Sequence, residues 1–195
     1  MPMEPGFVAF VTVLALSAPG PSSPPAELTA PPPVMPPLHC QAESAQFDQE
    51  AEALIAIRIE ALRSKFAPSA PAIAPDPELT RIAQARACAI ASGAQDFSHT
   101  DDKGVFIAGR LVHEHLGPHG TVGENIMEAD GTMEFGAEAF AKAAVEGWMN
   151  SPGHRHNILN PRYSLSGVGV AKMGGQAVAA QIFFGLPVER DSDSH

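Results

Sequence analysis

The stretch WMNSPGHRHNIL, residues 148–159, sets the chain's one tryptophan, a Ser-Pro-Gly turn and two histidines side by side. Two arrangements account for such crowding: a binding or catalytic site, or a helix end packed on a sheet. The residues upstream argue for a helix running into the turn. Thr132 caps the segment MEFGAEAFAKAAVEGWM, and Met133, Ala137, Phe140, Ala141, Ala144 and Trp148 recur on one face of it. Glu138, Lys142 and Glu146 fall on the other side, with Glu146 one turn from Lys142 and placed to pair with it. Trp148 therefore reads as core, and the turn sets the direction of the chain beyond it.

The same periodicity places other elements outward from this helix. Residues 45–66, AQFDQEAEALIAIRIEALRSKF, bring Phe47, Ala51, Leu54, Ile55, Leu62 and Phe66 to one helical face. Arg58 falls inside that stripe. An unpaired charge is costly there, so Arg58 is expected to reach an internal carboxylate or helix-end carbonyls. A proline-broken loop, APSAPAIAP, leads to Asp76-Pro77, an N-cap followed by a first-turn proline. The helix it opens, PELTRIAQARACAIASG, is alanine-rich nearly all round, which suits burial between layers, and Gly93 stops it. A third helix is expected over Val105 to Leu116, ended by Gly117-Pro118. Strands read at TVGENIM (121–127), SGVGVAK (166–172) and AVAAQIFFG (177–185), the last two joined by Gly174-Gly175 as a hairpin. Few strands among several helices predict an α/β fold, a three-layer α-β-α sandwich around a small central sheet.

The chain of 195 residues is 45% hydrophobic and carries a net charge of −10, from 22 acids and 12 bases. That balance argues against nucleic acid as a partner, since phosphates demand a basic face. It equally disfavours electrostatic docking on an anionic membrane. Phe7–Leu16 is a largely apolar run of ten residues, too short to span a bilayer but the length of a signal-peptide core. Residues 1–18 are therefore expected to be a signal peptide, although no Lys or Arg precedes the run, and the product to be secreted or periplasmic rather than an integral membrane protein. Residues 19–40 form a linker, in which 19–37 hold nine prolines and can build neither helix nor sheet ladder. The domain proper is placed at 41–188, as a monomer, and the polar tail at 189–195. Two cysteines, Cys40 and Cys88, permit one disulfide in an exported chain; two unrelated buried thiols are the alternative.

Eight histidines are unequal candidates for chemistry. His39 and His195 lie in the linker and tail. His113, His115 and His119 occur in HEHLGPH, which is not a zinc-binding His-Glu-x-x-His helix because Gly117 stands at the second ligand position. That leaves His99 in DFSHTDD, and His154 and His156 in the opening stretch, with Glu124 on the strand VGENI.

In order and spacing, FSHT, VGENI, GWMNSPGHRHNIL, SGVGVA and AAQIFF together resemble the CAP superfamily, the SCP-like extracellular domain, in its bacterial secreted branch. The similarity covers roughly residues 45–186. It implies an α-β-α sandwich with a central cleft carrying two histidines and acidic residues, able to hold a divalent metal, often zinc. Matched residue by residue, the first family histidine is His99, the Gly-Glu-Asn glutamate is Glu124 and the second histidine is His154. Animal and plant members place a second acid three residues after the tryptophan, where this chain has Ser151, a candidate ligand contact. Glu146 does not replace that acid: two residues before Trp148, it projects roughly 200° away around the helix axis. The resemblance makes His156 a surface ring, while Arg155 and Asn157 are expected to brace the turn by hydrogen bonds to backbone. His154 turns into the cleft and Ile158 and Leu159 anchor the segment.

His99 and His154 are thus the expected metal ligands, with water or Glu124 completing the shell, and His99, Glu124 and His154 the residues that would carry any catalysis. The set lacks a third strong ligand and a nucleophile–base–orienter chain. The leading expectation is a binding module for a lipid, a cell-envelope component or a protein, a range the resemblance implies. A metal-dependent, peptidase-like hydrolase and a structural envelope protein are the alternatives.

Overall fold

The computed structural model describes residues 45–130, 136–173 and 175–186. The expected signal peptide, linker and tail, Cys40, Thr132, Met133 and Gly174 lie outside the described residues. A four-stranded sheet comprises β1 (Ala74–Pro75), β2 (Thr121–Asp130), β3 (Leu165–Met173) and β4 (Gln176–Gly185), in the order β1-β3-β4-β2. The pairs β3–β4 and β4–β2 are antiparallel, and the two-residue β1 lies parallel to β3. Helices α1 (Ala45–Phe66), α4 (Ala137–Asn150) and α5 (Pro152–Leu159) cover one face; α2 (Pro77–Ala91) and α3 (Ile107–Leu116) cover the other. The three-layer sandwich is as expected.

Because helices cover both faces, β3 and β4 are buried along nearly their whole length and their alternation divides two cores. Val168, Val170, Ala179 and Phe183 pack with α1 and α4; Ala171, Val178, Ala180 and Ile182 pack with α2 and α3. Helix α2 approaches β3 closely. A Cβ built on Gly167 would lie 2.1 Å from the Thr80 amide nitrogen, and one on Gly169 would lie 2.1 Å from that of Gln84. The glycines of SGVGV are what let the helix backbone settle on the strand. Asp76 caps α2 as expected, its Oδ1 accepting from the Leu79 amide at 2.9 Å.

Four readings change. Helix α4 begins at Ala137, with Gly136 at its N-cap position, four residues later than the sequence pattern suggests. Ser-Pro-Gly is not a simple turn: Ser151 ends α4 and begins α5, with Pro152 in the first turn, so His154 is helical. Arg58 does not enter the core but pairs with Glu138 at the surface. Its place is taken by Arg63, 2% exposed, which donates to the carbonyls of Ile158, Asn160, Pro71 and Tyr163. Positions 51, 55, 59 and 63 recur every four residues on the buried face, and 58 falls one step off that row. Arg155, expected to brace the turn, lies instead 5.3 Å over the Phe66 ring. Cys88 is disulfide-bonded, so it is not the unrelated buried thiol of the alternative reading.

Gly169→Ala should destabilise the chain by about 1–3 kcal/mol or more, since its methyl group meets helix backbone that has nowhere to move. Gly147→Ala, on α4 with nothing within 4 Å of the added Cβ, should instead stabilise by roughly 0.5–1 kcal/mol. Urea denaturation midpoints of the two variants check both signs.

Candidate functional site

Strand β2 ends the sheet opposite β1, and the site wraps around it. Glu124 points to the α2 side, where it meets Arg86. Asn125, the next residue, points to the α5 side, where its Nδ2 donates to the His154 carbonyl at 3.2 Å. Asn157 on α5 completes the clamp, donating to the Glu124 carbonyl at 3.1 Å and to Asn125 Oδ1 at 3.0 Å. The expected backbone brace is thus Asn157's work. The Trp148 ring N–H donates to the Ile126 carbonyl at 3.1 Å, fixing the end of α4 to the same strand. One strand edge therefore positions both the loop after α2 and the first turn of α5.

At the centre is a fully buried ion pair. Arg86 Nε donates to Glu124 Oε1 at 2.8 Å, and both side chains are 0% exposed. The same guanidinium donates to the Ser98 carbonyl at 2.8 Å and to the Gln95 side chain. It thereby ties the loop carrying His99 to β2. Internal bonds fix the loop further: Ser98 Oγ donates to the Thr100 carbonyl, and the Ile107 amide donates to the His99 carbonyl. Desolvation by itself would raise the Glu124 pKa; the Arg86 charge, aided by His99, outweighs it and holds the carboxyl below its ordinary range.

An ionised Glu124 accepts, so its 2.8 Å contact with His99 Nδ1 requires that nitrogen to carry a proton. In the neutral ring the lone pair is then on Nε2, facing away from the carboxylate. His154 Nε2 lies 3.5 Å from that atom, and the two rings meet edge-on with centroids 5.6 Å apart. Burial first, and the neighbouring His99 second, push the His154 pKa down to about 4. The ring is neutral at physiological pH.

The structure thus joins three expected site residues in one chain of contacts, Glu124 to His99 to His154, all nearly buried. Ser151 is also buried, at the α4–α5 junction, but its hydroxyl bonds to none of them. Glu124 is not a free ligand or base, because the Arg86 guanidinium and the His99 ring hold its oxygens. Glu146 faces water, 3.9 Å from Lys142, as helix geometry requires. His113 and His119 are exposed and His115 lies 3.2 Å from Glu78, so the HEHLGPH cluster stays apart from the site. Arg86 is the residue that sequence reasoning missed. Its signal was an arginine among Ile82, Ala83, Ala87 and Ile90 on a buried helix face.

Among the described residues no group of three or more His, Cys, Asp or Glu side chains is arranged to hold a metal ion. The two imidazoles alone are a different matter. Two nitrogens bound to a tetrahedral zinc at about 2.0–2.1 Å stand roughly 3.3–3.4 Å apart, close to the 3.5 Å between the two Nε2 atoms.

Comparison with known proteins agrees with this architecture. The model of the CAP, cysteine-rich secretory protein family matches residues 62–184. A Bacillus subtilis protein, the uncharacterized YkwD, is 42% identical over 65 residues, which span 33% of this chain and 21% of the relative. An outer surface protein of Borrelia burgdorferi superposes with a TM-score of 0.59 at 18% identity, covering 71% of this chain and 95% of that one. An extracellular Bacillus anthracis protein containing an SCP domain gives 0.52 at 23% identity, covering 71% and 41%. NaASP2, solved with Zn2+, gives 0.52 at 14%, covering 72% and 82%.

Arg86→Met should cost about 3–5 kcal/mol, because it strands a buried carboxylate; adding Glu124→Leu should restore much of that, a coupling that denaturant unfolding of the three variants reads. The His154 ring supplies a second test. Its folded pKa of about 4 lies below the ordinary 6.5, so stability present above pH 6.5 should be lost as pH falls toward 4, at about 1.4 kcal/mol per pH unit. Asp48, whose carboxyl burial and Glu52 push up to about 6, acts with the opposite sign. The stability difference between wild type and His154→Gln, measured from pH 7.5 to 4.5, isolates the histidine and should shrink toward acid.

Proposed function

The chain belongs to the CAP, or cysteine-rich secretory protein, family, and on that footing we propose that it is an exported ligand-binding module whose histidine pair can hold a divalent metal. The observation that carries the metal part is the 3.5 Å approach of His99 Nε2 and His154 Nε2. His99 is fixed by Glu124 in the tautomer that leaves Nε2 as a donor of electrons, and His154 is neutral where a ligand must be. Zinc, or another divalent ion, would be held by these two nitrogens and by non-protein ligands. When bound it would act as a Lewis acid. The chain's own residues orient the two rings, hold a proton on His99 Nδ1 and keep Glu124 charged. NaASP2, a structure with the same fold, was solved with Zn2+, which supports the same reading.

Export is supported by the apolar Phe7–Leu16 run and by the extracellular and outer-surface descriptions of the structural relatives. No helix among the described residues is long and apolar enough to cross a membrane. The ligand is taken to be a lipid, a cell-envelope component or a protein. A metal-dependent, peptidase-like hydrolase has less support, since the Glu124 carboxylate that would serve as its base is committed to Arg86 and His99. The alternative of an envelope protein stabilised by the pair has no observation in its favour beyond the pair itself.

Zinc added at pH 7.5 to chelator-treated protein should raise the thermal midpoint in a concentration-dependent way. His99→Ala and His154→Ala should each abolish the increment while leaving the protein folded, and the increment should be lost as pH falls toward 4, where His154 protonates. An unchanged midpoint at millimolar zinc, or an increment that survives both substitutions, would remove the metal from this site.

A further inference from the structure

A second hollow lies at the opposite edge of the sheet, far in the fold from the histidine pair. It is a groove of about 370 Å³ between α1 and the β1–β3 edge, within the range of small-ligand sites. Its walls are apolar: Ala53, Ala56, Ile57 and Ile59 from α1, with Ile73 and Val168 facing them. Ile57 is 66% exposed at the rim.

Two hydroxyls in the groove are already engaged, Thr80 donating to the Asp76 carbonyl at 2.9 Å and Ser166 accepting from Gln181, and the other polar groups present acceptors. Gln181 is 1% exposed; its Nε2 donates to Ser166 Oγ at 3.0 Å, and its Oε1 has no partner among the described residues. Glu52 accepts from the Val170 amide at 3.0 Å and from the Gln84 side chain at 3.3 Å. Glu60 accepts from the Ile73 amide at 3.3 Å. These donors to the two carboxylates are neutral amides, and among the described residues no ion pair within 4 Å joins either carboxylate to a base, although Glu60 lies near enough to Arg63 for the two charges to interact. Burial raises the Glu52 pKa, as it should for a carboxylate lacking a nearby cation. An apolar trough is thus lined by two carboxylates and a buried carbonyl oxygen.

We infer that this groove is a binding site for a small amphiphile with an aliphatic body and a primary ammonium head. The alkyl chain would cover the α1 side chains. The ammonium, with three donors and a positive charge, would meet the Gln181 oxygen and the acidic lining. A fatty acid is the wrong partner, because its carboxylate would face acceptors of its own sign. The inference is independent of the metal reading, since none of its groups belongs to the histidine site.

n-Octylammonium, n-octanoate and n-octanol, titrated calorimetrically into the folded chain at pH 7.5, test it. Octylammonium should bind at one site, at least tenfold more tightly than octanoate, with octanol between them. Ala56→Trp, a solvent-facing change on α1 that fills the groove, should weaken octylammonium at least tenfold with the circular dichroism spectrum unchanged. Gln181→Met should narrow the preference for ammonium over octanoate, whereas His99→Ala should leave binding as it was. No binding of octylammonium, equal or tighter binding of octanoate, or unaltered affinity in both folded groove variants would overturn the inference. Loss of zinc binding alone would leave it standing.

Discussion

The buried pair of Arg86 and Glu124 is the constraint on which the rest of the site depends. Either charge alone would be intolerable in that position, so each makes the other possible. The pair does more than cancel charge. Arg86 reaches from α2 to a strand residue and to two positions in the loop after α2, so one guanidinium fixes three segments. The charge that remains on Glu124 then dictates which nitrogen of His99 carries the proton. On the proposed reading Glu124 would position the ring, and the imidazoles would offer the ligand atoms.

The sheet gives this arrangement its place. Both faces are covered by helices, so side chains on β3 and β4 are consumed by packing. At the outer strand β2 the two helical layers come close around one strand edge, and polar side chains from each layer can meet there. His99 comes from the α2 layer and His154 from the α5 layer. Asn125, Asn157 and Trp148 hold the second of these in register with β2. The edge at β1 is handled differently: Glu52 satisfies the Val170 amide where β1 has already ended, and the groove opens beside it.

Much of this was legible in the residues. Asp76-Pro77 marked the start of α2, three short runs marked β2, β3 and β4, and the ordered motifs singled out His99, Glu124 and His154. What was not legible has physical reasons. The β1 segment is two residues long and carries a proline, so no pattern distinguishes it from loop. Helix α5 carries no apolar stripe, and its one signal, Ser151-Pro152 in N-cap and first-turn positions, also reads as a turn. The rule that a charge on a buried face needs partners was sound, but it was applied to Arg58, which lies off the buried row. Arg63 and Arg86 obey it. A rule about burial finds the right residue only when the phase of the helix is known to within one position.

The central claim is that His99, oriented by Glu124, and His154 present their Nε2 atoms to a common point. Long-range proton–nitrogen correlation spectra of the imidazoles, recorded near pH 7 with and without zinc, examine it most directly. The predicted result is a proton on His99 Nδ1, a bare Nε2, a neutral His154 ring, and zinc-dependent shifts at the Nε2 of both residues together. A proton on His99 Nε2 in the metal-free protein, or shifts confined to one ring, would contradict it.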